Sequence, residues 1–329
     1  MASEGWGGAE KVVVELAAEL SKEHEVTVLV LRGTEWVSRL SSRVRVVQLR
    51  ANPTRYNPFL SLEIYSVLKR LRPDIIHTHA VKGTELVAAV NRFLHMAHLG
   101  TKHNVRKGKI FNRLRWVSVV SAASKATISP VQGGVVKVIH NGILPEAVGE
   151  VGKNKIFTLL AVGRLDRLKG FHDLIDQVRQ LPFEVQLRIV GEGPERDTLQ
   201  QQVQQAGMEG TVVLTGHRED IPRLMARAHV VVISSLSEGF SRVAIEALQY
   251  GDLLISTPVG ICTEILPPRL LAERQQLAEV LGRVYGQYSQ YRECFAALKK
   301  ERADAFLLPA IVQQYVGYYQ KIKEDGEVF

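Results

Sequence analysis

Two glutamates eight positions apart, Glu238 and Glu246, stand on either side of a turn in SSLSEGFSRVAIEALQYG (234–251). A carboxylate accepts two or more hydroxyl hydrogen bonds, which suits a sugar or a ribose better than a phosphate. The pair could hold two separate polyol groups; the plainer alternative is one solvated loop glutamate and one helix-face glutamate. Arg164 and Lys169 share the short stretch GRLDRLKG (163–170), where two cations can converge on one anion. His77 and His79 close a short apolar run, where they are either ligand contacts or merely polar strand-end residues. Gly7 and Gly8 lie in a glycine loop (3–10) that leads into an apolar-periodic helix, the arrangement that sets backbone N–H groups against a phosphate. Glycines also serve ordinary turns.

The elements around these residues decide what they can reach. AHVVVIS (228–234) and the apolar part of DLLISTP (252–258) read as buried strands. Between them Glu238-Gly239-Phe240-Ser241 leads into Val243, Ala244, Ala247 and Leu248, apolar at helical spacing. Glycine permits the tight turn, and the helix then starts at the crevice where α/β sheets bind ligands. The same order recurs. A strand at 157–162 precedes the Arg164–Lys169 loop and a helix over 171–180. A strand at 185–190 precedes Gly191-Glu192-Gly193-Pro194 and a polar helix, and one at 212–215 precedes Gly216-His217-Arg218. In the first half, strands are expected at 25–31, 44–49, 117–120 and 136–140, with one ending at His77-Thr78-His79. Helices are expected at 9–21 and 60–71. Strand alternating with helix predicts an α/β fold with parallel sheets.

Composition narrows the classes. The chain has 329 residues, 46% of them hydrophobic, enough for two cores. No apolar run is long enough to span a bilayer and no signal peptide opens the chain, so a cytoplasmic location is expected. Cys262 and Cys294 suggest neither a disulfide framework nor a zinc site. Residues 1–145 hold 21 Lys/Arg against 10 Asp/Glu, a net +11, whereas the remainder stands at −3. The first half is therefore expected to face an anionic partner. Lys102, Arg106, Lys107, Lys109, Arg113 and Arg115 interleave with Ile110, Phe111, Leu114 and Trp116. This segment, 102–116, reads either as an interfacial element on an anionic membrane or as a solvated basic face over its own apolar side. Nucleic-acid binding rests on charge alone, and a dinucleotide oxidoreductase is disfavoured because Gly5-Trp6-Gly7-Gly8 lacks the G-x-G-x-x-G spacing.

Glu-Gly-Phe-Ser, Glu246-Ala247-Leu248, Gly251, Thr257-Pro258-Val259-Gly260 and Glu264 together resemble the E-x7-E signature of the family-4 (group 1) glycosyltransferases, retaining enzymes of the GT-B fold. G-R-x4-K-G at 163–170, the His77-x-His79 pair, and Gly-Gly-Ala-Glu at 7–10 resemble the same family. The resemblance implies two Rossmann-like domains with parallel sheets facing a central cleft: residues 1–143 on the acceptor side and 144–308 for the nucleotide sugar. A helix over 309–329 would return to the first domain. An apolar strand precedes the glycine loop in relatives, so the first strand of the N-terminal sheet is expected to be missing here.

The resemblance also assigns roles. Glu238 would touch the donor sugar and Glu246 the ribose, while Arg164 and Lys169 would take the diphosphate. Gly7, Gly8, Gly239, Phe240 and Ser241 would line the donor, with His217 by the nucleobase. His79 would meet the reacting sugars, with His103 also on the acceptor side. The implied reaction moves a hexose from a UDP- or GDP-sugar to a glycolipid, lipid-linked or polysaccharide acceptor. Catalysis would rest on His79, Arg164, Lys169 and Glu238, the last as a positioning group. No Asp-x-Asp motif occurs in the sequence, so no metal or other cofactor is expected. A sugar-nucleotide epimerase of the same fold and a non-catalytic nucleotide-sugar binder are the alternatives.

Overall fold

The computed structural model describes residues 2, 5–52, 54, 57–106 and 108–326. The chain divides into two compact units, 1–142 with 307–329, and 143–306.

In the first unit, helix α1 (Gly8–Leu20) precedes β1 (Thr27–Val30) and β2 (Arg45–Gln48), which pair in parallel. Helix α2 (Pro58–Leu71) opens on Asn57, whose side chain accepts from Phe59 N, with proline in the first turn. Strands β3 (Ile76–His79), β4 (His98–Lys102), β5 (Trp116–Val119) and β6 (Val135–Val138) form a four-stranded parallel sheet in that order. Helix α3 (Ala80–Asn91) connects β3 to β4, and the one-turn α4 (Ala122–Lys125) follows β5. The C-terminal helix, Leu308–Gly326, belongs to this unit. It buries Ile311, Tyr315, Tyr318 and Ile322 against Leu16, Leu99, Trp116 and Ile139.

The second unit is one parallel sheet of β7 (Phe157–Val162), β8 (Val185–Val190), β9 (Val212–Gly216), β10 (Val230–Ile233) and β11 (Leu254–Ser256). Its order is β11-β10-β7-β8-β9. Helices α5 (Phe171–Val178), α6 (Arg196–Gln205), α7 (Ile221–Arg227) and α8 (Arg242–Tyr250) alternate with the strands, and α9 (Cys262–Ile265), α10 (Leu277–Gly286) and α11 (Tyr288–Arg302) follow. Leu159, Leu187, Ile189, Val230, Ala244, Leu248 and Leu254 are fully buried. The chain runs outward one way from β7 through β8 to β9, and the other way from β10 to β11. The sheet thus has a topological switch point between β7 and β10, where ligands bind in such folds.

The large apolar residues of the 102–116 segment pack into the unit rather than facing outward. The segment leaves β4 through turns to a 3-10 turn at Phe111–Arg113. Phe111 is 0%, Trp116 5% and Leu114 8% exposed, all three part of the unit's interior. Gly100 makes the room: a Cβ there would lie 2.6 Å from Leu114 Cδ1. Lys102 is buried on β4, donating to Thr127 Oγ1, and burial pushes its ammonium pKa down. Arg106, Lys109, Arg113 and Arg115 stay exposed, so this surface is cationic, with Val105 and Ile110 only partly exposed beside them; Lys107 lies outside the described residues.

Candidate active site

In the second unit the loops at the carboxyl ends of β7, β8 and β10 are stitched together by backbone hydrogen bonds. Gly163 N donates to Val190 O (3.0 Å) and Leu165 N to Glu192 O (2.9 Å). On the other side Leu236 N donates to Leu168 O (2.8 Å), and Ser234 Oγ donates to Lys169 O (2.9 Å). Two glycines permit this closeness. Gly170 has φ +65° and a Cβ there would stand 2.2 Å from Ser234 O; a Cβ on Gly193 would stand 2.4 Å from Leu165 O. The Arg164–Lys169 loop is therefore clamped between the β8 and β10 loops, at the switch point.

Lys169 crosses that gap. Its Nζ donates to Glu238 Oε1 at 2.6 Å, and Ser235 Oγ donates to the same oxygen at 2.8 Å. The Lys169 and Glu238 side chains are 24% and 12% exposed, so the pair is partly desolvated. Gly260, at φ +49°, lets Glu238 Cβ approach to 3.0 Å of where its own Cβ would be. Arg164 is exposed on the same loop, and His217 is exposed just beyond β9. Phe240 and Ser241 are buried in the turn that starts α8. Glu246 lies one turn into α8 and faces Arg242 Nε at 3.9 Å, within its own helix. Thus Lys169 and Glu238 meet directly, whereas Glu246 pairs with Arg242 of its own helix. Cys262 is buried nearby, and burial above all pushes its thiol up to about 12, which leaves it inert.

In the first unit the two histidines of β3 point to one face of the sheet with Thr101 of β4 and the following His103. The His77 and His79 rings lie 4.2 Å apart, and His79 Nδ1 hydrogen-bonds His103 Nε2 at 3.0 Å. Burial pushes His77 down to about 3, with the neighbouring His103 and His98 adding to it. Burial also holds His79 well below its ordinary value and brings His103 to about 4. All three are neutral imidazoles near pH 7, each one donor and one acceptor. Directly after His79, Ala80 adopts φ +61°, a conformation costing of order 1–3 kcal/mol in an L residue and typical of functional turns. Gly7 and Gly8 are exposed at the N-terminus of α1, with nothing within 4 Å of a Cβ on Gly8.

Sequence reasoning missed Ser235, Thr101, Ser118, Tyr315 and Tyr319, the polar residues that hold the charged pair and the histidines. Each is an ordinary residue within its own element, and no spacing marks it. The strain at Ala80 has no sequence signal either, since alanine is the commonest of helix formers.

Two parallel α/β units in one chain, the second with a topological switch point between β7 and β10, are the architecture of the GT-B fold. The sequence matches the Glycosyltransferase Family 4 domain over residues 6–147 and the Glycosyl transferases group 1 domain over residues 146–270. The chain belongs to this family of glycosyltransferases. It is 26% identical over 260 residues to the lipopolysaccharide core biosynthesis glycosyltransferase LpsE of Rhizobium meliloti, covering 76% of both chains. It is also 26% identical over 286 residues to a Campylobacter jejuni N-acetylgalactosaminyltransferase named for a diphospho-undecaprenol substrate, covering 77% of this chain and 78% of that one. Among solved structures, Anabaena HepE in complex with UDP superposes with a TM-score of 0.81 at 21% identity, over 97% of this chain and 98% of the other. HepE has also been solved in complex with UDP-glucose, at a TM-score of 0.80 and 22% identity over 97% of both chains.

Proposed function

We propose that the protein transfers a hexose, with retention and without a metal, from a UDP- or GDP-sugar to a lipid-linked, glycolipid or polysaccharide acceptor of the cell envelope. The observation that carries this reading is the Lys169–Glu238 pair beside Arg164 at the switch point. When the donor reacts, the bond from the anomeric carbon to the diphosphate breaks and negative charge grows on the leaving oxygen. Fixed cations aimed at that oxygen lower the barrier by about 2–4 kcal/mol each. Arg164 and Lys169 are those cations, and they supply the charge that a metal supplies to other transferases. The acceptor oxygen bonds to the anomeric carbon and its proton passes to the departing phosphate oxygen. Glu238 then holds sugar hydroxyls and Glu246 the ribose, while neutral His79 and His103 meet the reacting sugars on the acceptor side.

The relatives' printed substrates support the acceptor class, and HepE's complexes support a nucleotide-sugar donor. None of the described helices is long and apolar enough to cross a membrane. Contact with an anionic membrane is assigned to the exposed cations Arg106, Lys109, Arg113 and Arg115, through charge alone. The test is a two-stage assay. Thermal shift across UDP- and GDP-hexoses identifies the donor, since 100 times the dissociation constant stabilises by about 2.7 kcal/mol. Transfer to polyprenyl-diphosphate sugars and lipopolysaccharide cores then follows, with and without EDTA, with the anomeric configuration read by NMR. Donor binding without transfer to any acceptor would favour a binding protein. Complete loss of transfer in EDTA, restored by manganese, would refute metal independence.

A further inference from the structure

A chain of hydroxyls, buried at its inner end by Thr101, Ser118 and Tyr315, enters the histidine cluster from the C-terminal helix. Tyr319 Oη lies 2.7 Å from His77 Nδ1, and His77 Nε2 lies 2.6 Å from Thr101 Oγ1. Thr101 Oγ1 in turn hydrogen-bonds Ser118 Oγ, and the Tyr315 hydroxyl joins both. The chain thus runs through the C-terminal helix, β3, β4 and β5, elements separated by as many as 242 positions. Both His77 nitrogens are occupied. His77 is therefore held at two points, and its ring is the floor under His79 at 4.2 Å.

The chemistry of the partners orients the protons. A phenol is a stronger donor and a weaker acceptor than an alkyl hydroxyl, and Tyr319 stays protonated because burial raises its pKa well above the ordinary value. Tyr319 O–H then donates to Nδ1, and Nε2–H donates to Thr101. Thr101 passes its own proton on to Ser118 or Tyr315. Each donor has an acceptor in this arrangement, which is what a buried polar network requires. In this arrangement His77 carries its proton on Nε2, and a ring flip would leave one of its partly buried nitrogens unpaired.

We propose that Tyr319 is a positioning residue of the transfer reaction: acting through His77, it sets the orientation of the His79–His103 pair, so that the C-terminal helix shapes the acceptor side of the site. The proposal rests on the reading above that His79 and His103 meet the reacting sugars. Misplacing a reacting group by about 1 Å can cost about a hundredfold in rate. Deleting one hydroxyl that holds the floor of the pair is accordingly expected to lower kcat about ten- to a hundredfold.

The test compares Tyr319→Phe with Tyr318→Phe in the full chain. Tyr318 is the control, because its hydroxyl donates only to backbone carbonyls, Val117 O at 3.2 Å and Val135 O at 3.1 Å. Two readouts are used. One is the ring-nitrogen spectrum of 15N-histidine-labelled protein, which needs no substrate. The other is release of nucleoside diphosphate from the UDP- or GDP-hexose that most raises the thermal midpoint. Tyr319→Phe is expected to move the His77, His79 and His103 nitrogen resonances and to lower kcat at least tenfold, with KM for the donor within about twofold. Tyr318→Phe is expected to leave both readouts at wild type whatever its effect on stability. Identical behaviour of the two variants in spectra and turnover would overturn the proposal and leave Tyr319 as packing. A His79→Ala variant with undiminished turnover would refute the reading of the site and the inference with it. Loss in His79→Ala with wild-type turnover in Tyr319→Phe would refute the inference alone.

Discussion

Lys169 is engaged by Glu238 before any donor arrives, so substituting the two residues should move nucleotide affinity in opposite directions. Two unit charges 2.6 Å apart attract by about 6 kcal/mol at an effective dielectric of 20. Much of this is offset by desolvation, since both side chains are largely withdrawn from water, and the salt-screened net value for such a pair is about 1–2 kcal/mol. A diphosphate must compete with that net value for the ammonium. Glu238→Gln removes the competitor and keeps the shape, so UDP or GDP should bind about five- to thirtyfold more tightly by isothermal titration calorimetry. Turnover with the intact nucleotide sugar should nevertheless fall, because a neutral amide holds sugar hydroxyls less strongly than a carboxylate. Lys169→Ala should weaken nucleotide binding by about 1.5–3 kcal/mol, the usual value of a hydrogen bond to a charged group. In the double variant the gain from Glu238→Gln should vanish, since no cation remains to be released. Weaker UDP and GDP binding by Glu238→Gln, or the same gain with and without Lys169, would refute the reasoning.

Four further outcomes are expected. Glu246→Gln should weaken free nucleotide and nucleotide sugar by the same factor, about tenfold by calorimetry, because ribose is common to both; an effect on the sugar nucleotide alone would contradict the ribose role. Gly193→Ala would place a Cβ 2.4 Å from Leu165 O, so it should displace the Arg164 loop and cost nucleotide affinity at least tenfold; unchanged affinity would show the loop is not the anion site. Acid should destabilise the first unit before its carboxylates titrate. His77, His98 and His103 have folded pKa values of about 3, 4 and 4, below the ordinary 6.5, so the unfolded chain binds more protons as pH falls through 6.5. Their stabilising effect is complete above pH 6.5 and is lost progressively below it, so the urea midpoint should drop between pH 7 and pH 5; a flat midpoint over that range would exclude it. Finally, wild type should sediment with anionic vesicles and release at raised salt, whereas Arg106/Lys109/Arg113→Glu should stay in the supernatant with normal nucleotide affinity. Equal sedimentation of both proteins would mark these charges as an ordinary solvated face.

The second unit was the more legible half of the chain. Its strands at 157–162 and 185–190 are apolar or alternating runs closed by a glycine, and the structure begins and ends them at the same residues. The first unit was harder to read. Strand β4 has the sequence His-Leu-Gly-Thr-Lys, with none of the β-branched run that marks a strand except Thr101. It is a strand because β3 and β5 pair with it on both sides and bury all five residues. The 102–116 segment shows a second kind of ambiguity. Its apolar residues have one hydrophobicity whether they face lipid or core, and only the cavity opened by Gly100 decides that Phe111 and Leu114 turn inward.

What the sequence determined by itself was therefore local: which loops follow which strands, that Arg164 and Lys169 share one of them, and that Glu238 and Glu246 bracket a strand-to-helix turn. Spacing along the backbone carries this information, because a strand, a glycine turn and a helix fix where nearby side chains can be. The tertiary structure decided the partnerships. Lys169 meets Glu238 from 69 positions away, and Tyr319 meets His77 from 242 positions away. Those contacts depend on strand order, on glycines that bring two backbones within touching distance, and on a C-terminal helix that packs on the first unit. None of these is a property of neighbouring residues, and so no reading of spacing could supply them.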